Sequence, residues 1–174
     1  MKRVAKFEKV SFEQFKKDYL ASRINNVTND EDEDIRKIYD SIELPKRSTR
    51  LSAGYDFHMP VAKVFNSGVE VLIPTGIKCK MEEGWVLGIY PRSGLGFKYK
   101  MRLNNTVGII DGDYYDNENN EGHIMIKMSI EKECELHRLK AGDAFCQGIF
   151  TEFGITEDDE ADGTRVGGMG STDK

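Results

Sequence analysis

The stretch Asn104-Asn105-Thr106-Val107-Gly108-Ile109-Ile110-Asp111-Gly112-Asp113-Tyr114-Tyr115 gathers carboxylates, amides and an aromatic hydroxyl within twelve residues. Asp-Gly flanked by apolar residues is a strong hairpin signal, so the segment predicts two strands joined by a tight turn. Such a turn needs the glycine. It does not need Asp113 and Tyr114 beside Asp111, or two asparagines at its entry, so the element carries polar groups beyond those its folding requires. An ordinary turn with Asx hydrogen bonding is the plainer reading of the same residues.

Two further segments could hold an anion. Pro91-Arg92-Ser93-Gly94-Leu95-Gly96 places a guanidinium, a hydroxyl and accessible backbone N–H groups at one corner after a strand, a set that suits phosphate. Its glycine spacing is neither a Walker loop nor a dinucleotide fingerprint. Near the C-terminus, Arg165-Val166-Gly167-Gly168-Met169-Gly170-Ser171-Thr172 combines one cation and two hydroxyls with glycine freedom, and could close over a phosphate chain or be a plain disordered end. The three segments share one chemistry, phosphate and base binding with a carboxylate to activate water, which points to nucleotide hydrolysis. His58, His123 and His137 lie far apart without a Ser/Asp pattern, and Cys146 has no evident base, so a triad or cysteine nucleophile is not expected.

The elements that must position these groups fall into three parts. Residues 1–44 are charged and helical in pattern and read as an appendage. Ser11 and Gln14 form a capping-box signal ahead of Phe12, Phe15, Tyr19 and Leu20, predicting a helix over 11–21. The acidic run 30–34 precedes Ile35, Ile38, Tyr39 and Ile42, where a helix N-terminus favours negative charge. Residues 45–155 read as short strands separated by Gly, Pro and Asn, with one helical turn near 94–99, which predicts a mainly β, jelly-roll-like fold. Residues 156–174 form an acidic, then glycine-rich tail.

Composition narrows the field. A chain of 174 residues, 39% hydrophobic and 32% charged, suits one globular domain. Its net charge of −5 offers no footprint for a nucleic-acid backbone, and no apolar run is long enough to span a bilayer, so neither nucleic acid nor membrane is an expected partner. The start lacks the apolar stretch of a signal peptide, so a cytoplasmic location is expected. Cys79, Cys134 and Cys146, odd in number and without metal spacing, read as buried free thiols.

At these residues the chain resembles the homotrimeric dUTPase family, the deoxyuridine triphosphate nucleotidohydrolases. Five ordered motifs carry the resemblance: Ser52-Ala53-Gly54-Tyr55-Asp56; Pro91 to Gly96; Asn105 to Tyr114; Gly142-Asp143-Ala144-Phe145-Cys146-Gln147; and Arg165 to Thr172. The resemblance implies a β jelly roll, a trimer with three shared active sites, and Mg²⁺-assisted hydrolysis of dUTP to dUMP and pyrophosphate by water attack on the α-phosphorus. It further implies that Asp111 activates the water and that Tyr114 packs under the deoxyribose and excludes a 2′-hydroxyl. Asn105, Gly108, Ile109 and Ile110 would read the uracil edge, with Met125 closing the slot. Arg92, Ser93 and Gly94 of a neighbouring chain, with Gln147, would hold the phosphates. Arg165, Met169, Gly170, Ser171 and Thr172 would close from the tail, and Asp56 would reach the metal through water or orient Arg92.

The chain departs from the family pattern in four places. Met169 stands where Phe is usual, Asp173-Lys174 replaces a final Gly, residues 116–121 are inserted after the Tyr, and residues 1–44 exceed the core. Two alternatives stay open here. One is a dCTP deaminase of the same fold, which needs a glutamate beside the pyrimidine. The other is a regulatory protein that retains the nucleotide site and meets a protein partner through residues 1–44.

Overall fold

The computed structural model describes residues 2–23, 31–131 and 137–163. Its strands are β1 (Ala5–Lys9), β2 (Lys46–Arg47), β3 (Tyr55–His58), β4 (Lys63–Phe65), β5 (Val71–Pro74), β6 (Ile77–Met81), β7 (Trp85–Pro91), β8 (Arg102–Leu103), β9 (Gly108–Ile110), β10 (Met125–Ser129), β11 (His137–Leu139) and β12 (Ala144–Glu152). Three helices accompany them, α1 (Phe12–Ala21), α2 (Asp32–Ser41) and α3 (Ser93–Tyr99), with a single 3₁₀ turn at Gly112–Tyr114. The principal sheet runs β2-β3-β12-β7-β9; a second runs β5-β10-β8, and β11-β4 and β1-β6 form two-stranded pairs. Alternation fills the space between them: Phe57, Leu87, Ile89 and Phe145 from the large sheet meet Ile73, Ile126 and Met128 from the second in one buried cluster.

The sequence motif around Asp111 does not fold as a hairpin. β9 pairs antiparallel with β7, whereas β10 pairs with β5 and β8 in the other sheet. The backbone at the Asp-Gly pair shows the difference. A two-residue hairpin turn of the favoured type needs positive φ at both central residues, but Asp111 has φ −79° and Gly112 is not among the positive-φ residues. The chain instead enters the 3₁₀ turn, leaving β9 and β10 as opposing walls rather than partners.

Residues 1–44 do not hang from the core. β1 pairs with β6 over its whole length, Ala5 opposite Met81 through Lys9 opposite Ile77. Phe7 drops between Tyr55, Phe57 and Phe150, with ring centroids 5.4–5.7 Å away. A second buried cluster of Val10, Phe15, Tyr19 and Ile35 joins α1 to α2. Phe7→Ala should therefore destabilise the protein by about 2 kcal/mol, since half-buried aromatic truncations fall below the fully buried range; an unchanged urea midpoint would show that β1 adds nothing to the core.

The cap of α1 is shared with the core. Ser11 Oγ accepts from the Gln14 N–H at 3.1 Å, the first half of a capping box. Gln14 does not complete the box, because its amide donates to Asp18 at 2.7 Å. Glu121 takes that place, its carboxylate accepting from the Ser11 N–H at 2.7 Å and from Ser11 Oγ at 2.5 Å. A negative charge at a helix N-terminus is favourable, and here it comes from the segment inserted after Tyr115.

Candidate active site

Between β9 and β10 lies a cavity of about 490 Å³, within the range of small-molecule sites. One wall carries Gly108, Ile109 and Ile110, and the other Ile124, Met125, Ile126 and Lys127; Asn104, Asn105 and Tyr114 complete the lining. Asn104 extends the β8–β10 pairing, its N–H donating to the Lys127 carbonyl at 3.0 Å. β9 is the edge strand of its sheet, so the backbone of Gly108–Ile110 on the side away from β7 has no strand partner among the described residues. A planar base with donors and acceptors on its edge suits such a slot, and fixed walls discriminate by shape.

Tyr114 is 4% exposed, with its ring in the cavity wall and its hydroxyl turned inward to donate to the His123 carbonyl at 2.9 Å. Asp111 is exposed and lies between two lining residues, Ile110 and Tyr114; its carbonyl accepts the Tyr114 N–H at 3.2 Å, which fixes the 3₁₀ turn. A carboxylate at this point can take a proton from water beside whatever the slot holds.

A second group assembles where β3, β7 and β12 meet. Asp56 and Gln147 face each other in register, and Gln147 faces Tyr90. Arg92 Nε lies 3.4 Å from Asp56 Oδ1, and Ser48 Oγ donates to Asp56 Oδ2 at 2.8 Å. Gly54 is packed so closely on Gln147 that a Cβ there would lie 2.2 Å from Oε1. Ser93 and Gly94 begin α3 immediately after Arg92 and are exposed. The structure thus joins the first, second and fourth motif segments to one another, but none of their residues lines the cavity of its own chain. Arg165, Met169, Gly170, Ser171 and Thr172 lie outside the described residues.

Sequence reasoning missed Leu72, Ile89, Leu103, Ile124, Ile126 and Lys127 as lining residues. The first three carry no local signal beyond ordinary strand hydrophobicity. It also missed Asn117, Asn120 and His123, which pack behind Tyr114; the first of these is 7% exposed, and a buried amide in an Asn-rich insert is a signal that hydrogen-bond accounting could have found. The two cysteines among the described residues give no competing site, and Cys134 lies outside those residues. Burial pushes the Cys79 thiol up to about 12 and Cys146 well above its ordinary value, so both stay protonated and unreactive. Among the described residues no three His, Cys, Asp or Glu side chains converge as a metal cage, and no helix is long and apolar enough to cross a membrane.

A family model described as dUTPase matches residues 40–172. This chain belongs to the dUTPase family. The deoxyuridine 5'-triphosphate nucleotidohydrolase of Lactococcus lactis is 42% identical over 133 residues, covering 75% of this chain and 88% of that protein. The crystal structure of dUTPase from Streptococcus mutans superposes with a TM-score of 0.62 at 34% identity, over 87% of this chain and 98% of that one. The dUTPase from phage phi11 of S. aureus, in a mutant form described with a coordinated structural Mg(II) ion, shares the fold at a TM-score of 0.55 and 18% identity, over 70% and 90%. The dUTPase family model begins near Asp40, so β1, α1 and most of α2 lie before the region it matches.

Proposed function

We propose that this dUTPase-family chain hydrolyses dUTP to dUMP and pyrophosphate with the slot between β9 and β10 as its nucleoside site. The slot carries the reading: its backbone-lined walls suit the uracil edge, and Asp111 stands beside it. Asn105, Gly108, Ile109 and Ile110 read the base, Met125 closes over it, and the Tyr114 ring supports the deoxyribose. Asp111 accepts a proton from water as the water oxygen bonds to the α-phosphorus. The bond from that phosphorus to the α,β-bridging oxygen then breaks, and pyrophosphate leaves with the oxygen and its electron pair. Arg92, Ser93, Gly94 and Gln147 hold the phosphates, helped by Arg165, Met169, Gly170, Ser171 and Thr172.

A homotrimer with shared sites is supported by two observations. The Arg92 group lies away from the cavity of its own chain. Beside it Phe97 of α3 stands 93% exposed, as an apolar side chain does when a second copy covers it in the assembly.

The donor set also fits Mg²⁺ held mainly by triphosphate oxygens. Asp56 is one carboxylate, already engaged by Arg92 and Ser48, and would reach the ion through a water, in keeping with the retained hydration of this cation. When bound, the ion offsets phosphate charge. The phosphate-facing cations of the chain, Arg92 foremost, then only have to orient the substrate.

The deaminase alternative requires a glutamate beside the ring, and none of the residues lining the slot is a glutamate. Incubation with dUTP, dCTP or UTP in the presence of Mg²⁺ should release pyrophosphate from dUTP and no ammonia from dCTP. Ammonia release would overturn the assignment. Light scattering should give the mass of three chains, and an active monomer would remove the shared site.

A further inference from the structure

Tyr114 is gripped at both ends by residues of the insert that follows it. Its hydroxyl donates to the His123 carbonyl at 2.9 Å and accepts from Asn120 Nδ2 at 2.8 Å. Its backbone carbonyl accepts from Asn117 Nδ2 at 2.8 Å, and the same amide donates to Asn120 Oδ1 at 2.8 Å. Asn117 Oδ1 accepts the N–H groups of Asn119 and Asn120. The insert's backbone is built for this closeness: Gly122 adopts φ +76°, and a Cβ there would lie 2.6 Å from the Tyr114 carbonyl oxygen.

The grip is anchored from the other side by the N-terminal helix. His123 is fully buried, and its Nε2 accepts the Gly76 N–H at 2.7 Å. That nitrogen therefore carries no proton, and Nδ1–H points at Asp18 Oδ2 of α1, 2.6 Å away. Burial raises the Asp18 carboxyl, but hydrogen bonds from His123 and Gln14 outweigh it and hold the group below its ordinary value, so the anchor is charged near neutrality. The Ser11–Glu121 contacts tie the start of the same helix to the end of the insert. Helix α1, which precedes the region the family model matches, and the segment after Tyr114 thus meet behind one side chain of the nucleoside slot.

We propose that Asn120 and the Asp18–His123 pair are positioning residues for sugar discrimination: they fix the height of the Tyr114 ring so that deoxyribose fits above it and ribose does not. This inference rests on the reading of Tyr114 as the sugar platform. A tyrosine tethered at its carbonyl and on two sides of its hydroxyl cannot settle away from the slot. Freed at the hydroxyl, it can yield by the depth of one oxygen atom, and a 2′-hydroxyl then enters. The loss falls on selectivity because dUTP gains nothing from the added depth and UTP does.

The test is kcat/KM for dUTP and for UTP in Asn120→Ala, Asp18→Ala, Asp18→Asn and Tyr114→Ala, with circular dichroism to confirm folding. Asn120→Ala and Asp18→Ala should each narrow the dUTP:UTP ratio by about tenfold, the scale of one lost hydrogen bond. Asp18→Asn, which still accepts from Nδ1–H, should restore most of the ratio. A merely structural role lowers both substrates together and leaves the ratio where it was; that result overturns the inference. If Asp18→Ala does not fold, Asn120→Ala decides alone. Tyr114→Ala separates the two levels. If it keeps the ratio, the platform reading fails; if it collapses the ratio while Asn120→Ala does not, only the positioning inference fails.

Discussion

Asp111→Asn is expected to lower kcat for dUTP by about 1,000-fold, in the range spanned by loss of a general base. The substitution is nearly isosteric. It removes the proton acceptor and one negative charge while leaving the backbone that shapes the slot, because Asp111 contributes to the 3₁₀ turn through its main-chain carbonyl. Binding of a non-hydrolysable dUTP analogue, followed by calorimetry, should persist or tighten slightly as repulsion from the phosphates falls. A kcat within about threefold of the parent would remove Asp111 from the chemistry.

Truncation after Asp162 should lower kcat/KM by about 100-fold, the scale of removing a transition-state hydrogen-bond donor, with the melting temperature unchanged. The described part of the tail explains the second half of this expectation. β12 ends at Glu152, and residues 153–163 are exposed, so the chain has left the core before the cut. The first half follows from the groups removed, Arg165, Ser171 and Thr172, which are suited to phosphate. Restoring an aromatic with Met169→Phe in the full chain should leave activity equal or raise it, since a ring stacks on a base with less entropy loss than a thioether. Wild-type kinetics in the truncated protein would show that the tail takes no part in the site.

Much of the architecture was legible because it is written locally. Ser11 as a cap, the stripe of Phe15 and Tyr19, and the acids ahead of Ile35 are short-range signals, and α1 and α2 formed where they stand. The strand runs around Val71 and Trp85 behaved likewise. The pairing of those strands was not legible, and the Asp111 segment shows why. Asp-Gly is a turn signal only when the flanking strands have no better partner, and β9 finds β7 while β10 finds β5. The residues that line the slot were visible as a motif, yet the slot itself exists because that hairpin does not form. The role of residues 1–44 was illegible for another reason: Phe7 meets Phe57 and Phe150, and Asp18 meets His123, across separations that no periodicity records.

The pairing of β1 with β6 also governs how this chain tolerates change at its start. Within the described residues β6 has β1 as its strand neighbour. Remove the first ten residues and the edge of β6 that faces β1 is opened, leaving the N–H and C=O groups of alternate residues, Lys78 and Lys80, to any passing chain. A strand exposed in that way is a template for intermolecular addition. Shortening the chain to the matched region would therefore leave it with an adhesive strand edge, whatever the state of the slot between β9 and β10.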